Sequence, residues 1–220
     1  NQDGAGGSAR FNKPSALAID KAGNLYVADS NNNAIRIVSP TGMVSTLASG
    51  SISLDHPRGL AFDASGTLYV EDNSATIAAF SLGGVAGNRS FNSNWWWHNG
   101  LSSDAGGNLY AAFGYSIVKL TASGEMVTVA GDAARSGNSD GAGGDARFNG
   151  ISGLAVDAAG NLYVADTLNH AIRKVTPAGV VSTVVGQAGV RGVQLGGILP
   201  GGLNQPASVA IGMRHGRPVL

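Results

Sequence analysis

The stretch that decides the fold is GNLYVADSNNNAIRIVSPTGMVSTLA, residues 23–48, because it recurs along the chain. A close copy, GNLYVADTLNHAIRKVTPAGVVSTVV, occupies residues 160–185. Two more divergent copies lie between them, GTLYVEDNSATIAAFSLGGV from Gly66 and GNLYAAFGYSIVKLTASGEMVTVA from Gly107. The Leu-Tyr pairs of the four copies begin at residues 25, 68, 109 and 162, so the spacings are 43, 41 and 53 residues. Repeats of about 40–45 residues are typical of four-stranded propeller blades.

Each copy predicts four short antiparallel strands. In the first copy, alternating apolar residues and β-formers mark the segments 15–20, 25–29, 34–39 and 43–48. The turns between them are short and rich in Gly, Asn and Pro, which requires an antiparallel meander. No segment has a long 3.6-residue apolar period, so little helix is expected. Because one meander cannot bury both of its faces, the sheets are expected to cover one another as blades of an all-β propeller.

The composition limits the classes of function. The chain has 34 Gly in 220 residues and only 13% charged residues, which fits a β-rich protein with many turns. The 14 Lys and Arg balance 14 Asp and Glu and form no basic stripe, so we expect no nucleic-acid partner. No apolar run approaches the roughly 18 residues of a spanning helix, so no membrane span is expected. The absence of Cys excludes disulfides and thiolate metal sites.

Residues 14–38, PSALAIDKAGNLYVADSNNNAIRIV, and residues 151–175, ISGLAVDAAGNLYVADTLNHAIRKV, resemble NHL repeats, the blade unit of propellers that usually close with six blades. The leaders DGAGGSARFN from Asp3 and DGAGGDARFN from Asp140 are typical of bacterial members. The resemblance covers residues 3 to about 211 and implies an interaction module.

On this basis we assign one domain to residues 1–220, with about four blades and the start of a fifth. The repeats are placed at about 3–50, 51–85, 95–132 and 140–186, with an incomplete one at 187–220. Such a chain is a partial or open ring, which remaining blades of a longer chain or a second chain would complete. Because the chain begins at Asn1 without an apolar leader, we interpret it as a processed segment. A bacterial protein of this kind is expected outside the cell or in the cell envelope.

Two acid–base pairs recur at a spacing of seven residues. They are Asp29 with Arg36 and Asp166 with Arg173. The second copy keeps Asp72 and has Ala78 in place of the arginine, so the coupling between the two positions is imperfect, but the third copy lacks both members of the pair. We therefore predict partly buried structural ion pairs between the second and third strands of a blade, and not a ligand site made of Asp residues.

One mouth of the predicted channel is the best candidate for binding. In a propeller the innermost strands line the central channel, and the residues just before them surround one mouth. By alignment, these residues are Ser15, Arg58, Asn99, Ser152 and Ser208. Their side chains are polar and differ between copies while the strands repeat, which is expected of a binding mouth. Solvated loop ends show the same pattern.

The segment FNSNWWWH, residues 91–98, contains every tryptophan of the chain: Trp95, Trp96 and Trp97, followed by His98. Neighbouring residues of an extended segment cannot all face a core, so at least one ring is expected to be exposed or to line the mouth. An exposed Trp suits stacking on a sugar ring or holding a peptide. Alternatively, the rings fill space where the second and third copies have diverged.

Metal and catalytic motifs are weak. The Asp-Gly leaders suggest calcium, but Arg147 stands where a calcium loop starting at Ser136 needs Glu. A tight turn that places Phe11 or Phe148 between blades explains the Gly and Phe of the leaders together. We find no HExxH or GxSxG motif and predict no metal site, no cofactor and no catalytic residue.

The favoured function is a non-enzymatic binding or scaffold module for a protein, peptide or glycan at the channel mouth. The alternative is an enzyme, because some propellers similar to this chain act as lyases or lactonases with a metal over the channel. His56, Arg58 and His98 near the mouth are the features that this alternative could use.

Overall fold

The computed structural model describes residues 2–47, 53–74, 76–81, 84–90, 100–192, 202–214 and 217–219. In these residues the only helices are 3₁₀ turns of three residues, and none is long enough to cross a membrane. The predicted fold class is confirmed: the chain is all-β, with the four-stranded antiparallel blades of a β-propeller. The chain divides into two compact units, Asn1–Trp96 and Trp97–Leu220.

The first sheet of the first unit follows the predicted meander. Its strands are β1 (Gly4–Ala5), β2 (Pro14–Ile19), β3 (Leu25–Asp29), β4 (Ala34–Val38) and β5 (Met43–Thr46). They pair in the order β1-β5-β4-β3-β2, so the leader adds a fifth strand to the outer edge of the blade. Asn33 closes the turn between β3 and β4 with a φ of 51°, a left-handed conformation that Asn tolerates better than most residues.

The second sheet of this unit packs on the first. Its strands, in order across the sheet, are β6 (Gly59–Phe62), β7 (Leu68–Glu71), β8 (Thr76–Ser81) and β9 (Gly84–Ser90). The alternating apolar residues of the two sheets form one buried core. At its edge, the rings of Tyr26 and Phe62 meet edge to face with their centroids 4.9 Å apart.

The second unit contains two further blades. The third blade consists of β10 (Leu101–Ser103), β11 (Leu109–Phe113), β12 (Ser116–Leu120) and β13 (Met126–Gly131). The fourth consists of β14 (Gly141–Ala142), β15 (Ile151–Val156), β16 (Leu162–Asp166), β17 (Ala171–Val175) and β18 (Val180–Val185). It pairs in the order β14-β18-β17-β16-β15, which is the arrangement of the first blade, leader strand included.

The two leaders bury their phenylalanines to different extents. Phe148 is fully buried in the core between the third and fourth blades, as the tight turn of the leader predicts. The same prediction for Phe11 is wrong, because 39% of its surface is exposed. Within the first unit, no described sheet precedes the first blade and covers Phe11 as the third blade covers Phe148.

The start of the fifth copy is not a strand. Residues 206–211 align with the innermost strand of the other copies, but they have no regular structure. A strand exists only where a partner supplies hydrogen bonds, and no described strand pairs with this segment. Beyond it, β19 (Gly212–Arg214) and β20 (Arg217–Val219) pair with each other and with no other described strand.

Candidate functional site

The two repeated acid–base pairs are close ion pairs in the core of their blades. Arg36 donates from Nη1 to Asp29 Oδ2 at 3.0 Å, and Arg173 donates from Nη1 to Asp166 Oδ2 at 2.8 Å. None of these four side chains has exposed surface. The pairs are therefore more deeply buried than the sequence indicated, and they are closed to a ligand.

The same guanidinium groups hold the leaders. Arg36 and Arg173 each donate from Nη2 to a leader carboxylate at 2.6 Å, Asp3 in the first blade and Asp140 in the fourth. Asp140 also accepts a hydrogen bond from the amide of Thr183 at 3.0 Å. These carboxylates, which suggested calcium in the sequence, bind arginine. Among the described residues, no group of three His, Cys, Asp or Glu is placed to hold a metal ion.

Ser15, one of the predicted mouth residues, uses its hydroxyl to hold the next repeat. Its Oγ donates to the carbonyl oxygen of Pro57 at 3.0 Å, and Ser30 Oγ donates to the same oxygen at 2.6 Å. Pro57 lies directly before the innermost strand of the second blade. We call this arrangement, two hydroxyls on the carbonyl of the next repeat, the hydroxyl clasp.

The fourth blade repeats the hydroxyl clasp. Thr167 Oγ1 donates to the carbonyl oxygen of Pro206 at 2.7 Å, and Ser152 Oγ can share its proton between Thr167 Oγ1 and the same carbonyl oxygen, which lies 3.3 Å away. Both serines thus have a structural partner in the following repeat.

The hydroxyl clasp also corrects the position assigned to Ser208. Pro206 receives the clasp as Pro57 does, so the residue equivalent to Arg58 is Ala207. Ser208 lies one residue further, with its Cα only 2.8 Å from the place of a Cβ on Gly153. The alignment of Pro206 with Pro14 in the sequence gives the same register, so Ser208 was placed one residue too far along the chain.

The second blade departs from this plan at two neighbouring positions. Arg58 stands where the first and fourth blades have the clasp serines, directly before β6. Glu71, in β7, stands where the other three copies have Ala28, Ala112 and Ala165. The backbone joins the two residues, since the amide of Arg58 donates to the carbonyl oxygen of Glu71 at 2.8 Å.

The side chains of Arg58 and Glu71 approach each other without forming a hydrogen bond. Nε of Arg58 lies 3.9 Å from Oε1 of Glu71, and the side chains are 30% and 5% exposed. Both carboxylate oxygens and this Nε are buried and lack a partner within the described part of the chain. Within the described residues, the side chain of Arg58 makes one hydrogen bond, from Nη2 to the carbonyl oxygen of Asp72 at 3.2 Å. Such unpaired buried groups are rare in folded proteins and call for an explanation.

Burial raises the pKa of Glu71 to about 7, because the charged form loses hydration. The nearby guanidinium of Arg58 acts in the opposite direction, and the carboxylate of Asp72 raises the pKa further. Glu71 is thus a carboxyl group that changes its charge near neutral pH. Strongly perturbed carboxyls are enriched at functional sites.

The remaining predicted site residues lie outside the described residues. They are Trp95, Trp96, Trp97, His98 and Asn99, and their role stays a prediction. His56 is described and lies on the surface, where its Nδ1 is 2.6 Å from Asp55 Oδ1.

Two segments of the chain match the family model of the NHL repeat, residues 11–38 and 148–175. The chain therefore contains two NHL repeats. The matched segments are the first and fourth copies, so the resemblance predicted from the sequence is confirmed where it was strongest. No curated protein matches this NHL-repeat chain in sequence.

Solved structures share the fold of this NHL-repeat protein. An auxiliary nutrient binding protein from Bacteroides ovatus is 19% identical with a TM-score of 0.76, and the match covers 92% of this chain and 55% of that one. A virginiamycin B lyase from Staphylococcus aureus is 14% identical with a TM-score of 0.61, covering 83% and 58%. A gluconolactonase from Xanthomonas campestris is 20% identical with a TM-score of 0.56, covering 81% and 58%. The match therefore spans little more than half the length of each, and at these identities it establishes the fold alone.

Proposed function

We propose that this NHL-repeat chain is a non-enzymatic binding module, and that Arg58 is the centre of its ligand site. The observation that carries the proposal is the change in the second blade. The hydroxyl clasp holds the following repeat with neutral side chains in the first and fourth blades. Arg58 replaces a clasp serine with a cation that is 30% exposed and whose side chain makes a single hydrogen bond to the described part of the chain. A neutral hydroxyl is enough to hold a carbonyl oxygen, so the structural role of this position does not explain the charge of Arg58.

The chemistry of Arg58 indicates what it would bind. A planar guanidinium presents several donors in one plane and suits anionic groups better than a lysine does. The candidate partners are a protein, a peptide or a glycan that carries an acidic group. The nutrient-binding protein of Bacteroides ovatus supports the proposal because a protein with a similar fold has a binding function. That relative also supports a proposed location outside the cell or in the envelope.

An array experiment tests the proposal. Purified protein is applied to glycan and peptide arrays, and the hits are measured again with Arg58→Ala and with Arg135→Ala. Arg135 is the control because it is an exposed arginine whose ion pair is with Asp132. We expect at least a tenfold loss of affinity for Arg58→Ala and none for the control. Equal binding by wild type and Arg58→Ala would contradict the proposal.

The tryptophan segment is a second, sequence-based part of the proposal. We infer that Trp96 contributes a stacking surface for the same ligand. Trp96→Ala is expected to weaken the array hits and to leave the unfolding midpoint in urea unchanged. A loss of stability without a loss of affinity would instead show that the rings only fill space.

An enzyme remains the second candidate, and Glu71 is the observation in its favour. A carboxyl group with a pKa of about 7 suits proton transfer at neutral pH. The test measures the turnover of virginiamycin B and of gluconolactone together with the metal content of the purified protein. Turnover that disappears in Glu71→Gln, with stoichiometric bound metal, would favour the enzyme over the binding module.

A further inference from the structure

We propose that Arg58 and Glu71 together form a site for one carboxylate group of the ligand, and that this carboxylate binds together with one proton. The inference rests on the proposed function and deepens it by naming the chemistry that Arg58 recognises. No covalent bond is made or broken: one carboxylate and one proton enter the site, and Glu71 holds the proton.

The geometry of the pair distinguishes it from the structural ion pairs. In the first and fourth blades, the arginine and aspartate are 2.8–3.0 Å apart and hydrogen-bonded. Arg58 and Glu71 are 3.9 Å apart, and the carboxylate of Glu71 has no hydrogen-bond partner in the described residues. Burying a carboxylate in this way opposes folding. The alanines at this position in the other blades show that the repeat does not require a carboxylate there.

A ligand carboxylate supplies a hydrogen-bond acceptor for the exposed part of the Arg58 guanidinium. The exposed part of the Arg58 guanidinium donates hydrogen bonds to the ligand. A second negative charge beside Glu71 disfavours its ionised form, so Glu71 takes up a proton. The neutral carboxyl of Glu71 then no longer offsets the charge of Arg58, whose exposed part holds the ligand carboxylate. In the described residues, the charged groups that act on Glu71 are Arg58, directly before β6, and Asp72, directly after β7. Strand β8, next to β7, has no titratable side chain.

The direction of the pH dependence follows from the charges. Burial raises the pKa of Glu71 to about 7, so below this pH the pair carries a net positive charge and attracts a carboxylate. Above it, Glu71 is ionised and neutralises Arg58. Binding then requires uptake of a proton, and affinity falls about tenfold for each pH unit above the pKa.

The experiment measures the affinity of the full chain for glucuronate by NMR titration between about pH 5.5 and 8.5. Glucose is the matched neutral probe. We expect glucuronate binding to weaken about tenfold per pH unit above pH 7, and we expect no such trend for glucose. Glu71→Gln should bind glucuronate with a flat pH profile, and Arg58→Gln should lose binding. Glu71→Ala, which restores the residue of the other blades, should also lose the pH dependence.

Two results would overturn the inference. One is a pH profile for glucuronate that is the same in wild type and Glu71→Gln. The other is an absence of glucuronate binding at pH 5.5, when Glu71 is protonated. If array ligands still depend on Arg58 in either case, the proposed function stands and only the carboxylate chemistry is wrong. If Arg58→Ala leaves the array hits unchanged, the proposed function itself fails.

Discussion

Arg173 and Asp166 lie 2.8 Å apart in the fourth blade, and neither side chain has any exposed surface. The same guanidinium also binds Asp140 of the leader and the backbone carbonyl oxygen of Ser139 at 2.8 Å. One arginine therefore joins the second strand, the third strand and the leader of a blade. Burial raises the pKa of Asp166, so this carboxylate depends on its hydrogen-bonded partners to remain charged.

Replacing Arg173 should be strongly destabilising. Arg173→Met leaves the carboxylate of Asp166 buried without its cation, and we expect a loss of about 3–5 kcal/mol in the free energy of unfolding. The double variant Asp166→Asn/Arg173→Met should recover part of this loss because it removes the unpaired charge. Urea denaturation measures both. The exposed Arg135→Ala is the control and should change stability by no more than about 1 kcal/mol. A comparable effect of both arginines would contradict the interpretation.

Glu71 should make stability depend on pH in the opposite sense to a salt-bridged acid. Its pKa is about 7 in the folded chain, against a usual value of 4.5. The folded state therefore binds the proton more tightly, and this stabilisation is complete below about pH 4.5 and lost as the pH rises through 7. The loss amounts to about 3 kcal/mol.

Glu71→Gln tests this effect, because glutamine cannot ionise. Relative to wild type, the variant should gain stability between about pH 5 and pH 8, by up to about 3 kcal/mol. Urea denaturation at several pH values measures the difference. Glu125→Gln, at an exposed position, is the matched control and should show no such trend. A difference between wild type and Glu71→Gln that is independent of pH would refute the effect.

The hydroxyl clasp should behave as a coupled unit. In Ser30→Ala, the carbonyl oxygen of Pro57 keeps the hydrogen bond from Ser15, so a loss of about 1 kcal/mol is expected. The double variant Ser15→Ala/Ser30→Ala removes both hydroxyl donors and should cost more than the sum of the single changes. A double-mutant cycle in urea measures the coupling. If the stability losses of the two single variants instead add up to that of the double variant, the carbonyl oxygen does not depend on the clasp.

Much of the fold follows from the repeated sequence. The strands of the first copy were predicted to within two residues of their observed ends, since the alternation of apolar residues and the Gly and Asn turns are local signals. Burial was less predictable, because it depends on which sheet lies opposite. Leu17 and Leu154 hold the same repeat position, yet they are 62% and 7% exposed. The two leader phenylalanines differ for the same reason.

Of the two residues of the candidate site, only Arg58 was predicted from the sequence. Alignment placed Arg58 before its innermost strand because the flanking pattern repeats. Glu71 was missed, although a signal existed: it is the acidic residue at a position where the other copies have alanine. That Glu71 has no hydrogen-bond partner among the residues that the structure describes is a matter of side-chain geometry, which no sequence pattern records.

Gly153 should control how the start of the fifth copy packs on the fourth blade. A Cβ on Gly153 would lie 2.8 Å from the Cα of Ser208, and a backbone atom can move only if its segment moves. Gly153→Ala is therefore expected to displace residues 202–212, at a cost of about 1–3 kcal/mol, and to speed the hydrogen exchange of their amides. Gly144→Ala is the matched control because nothing lies within 4 Å of its added Cβ. Unchanged exchange in Gly153→Ala would mean that this segment does not depend on the close approach, and the hydroxyl clasp on Pro206 would then have to hold it alone.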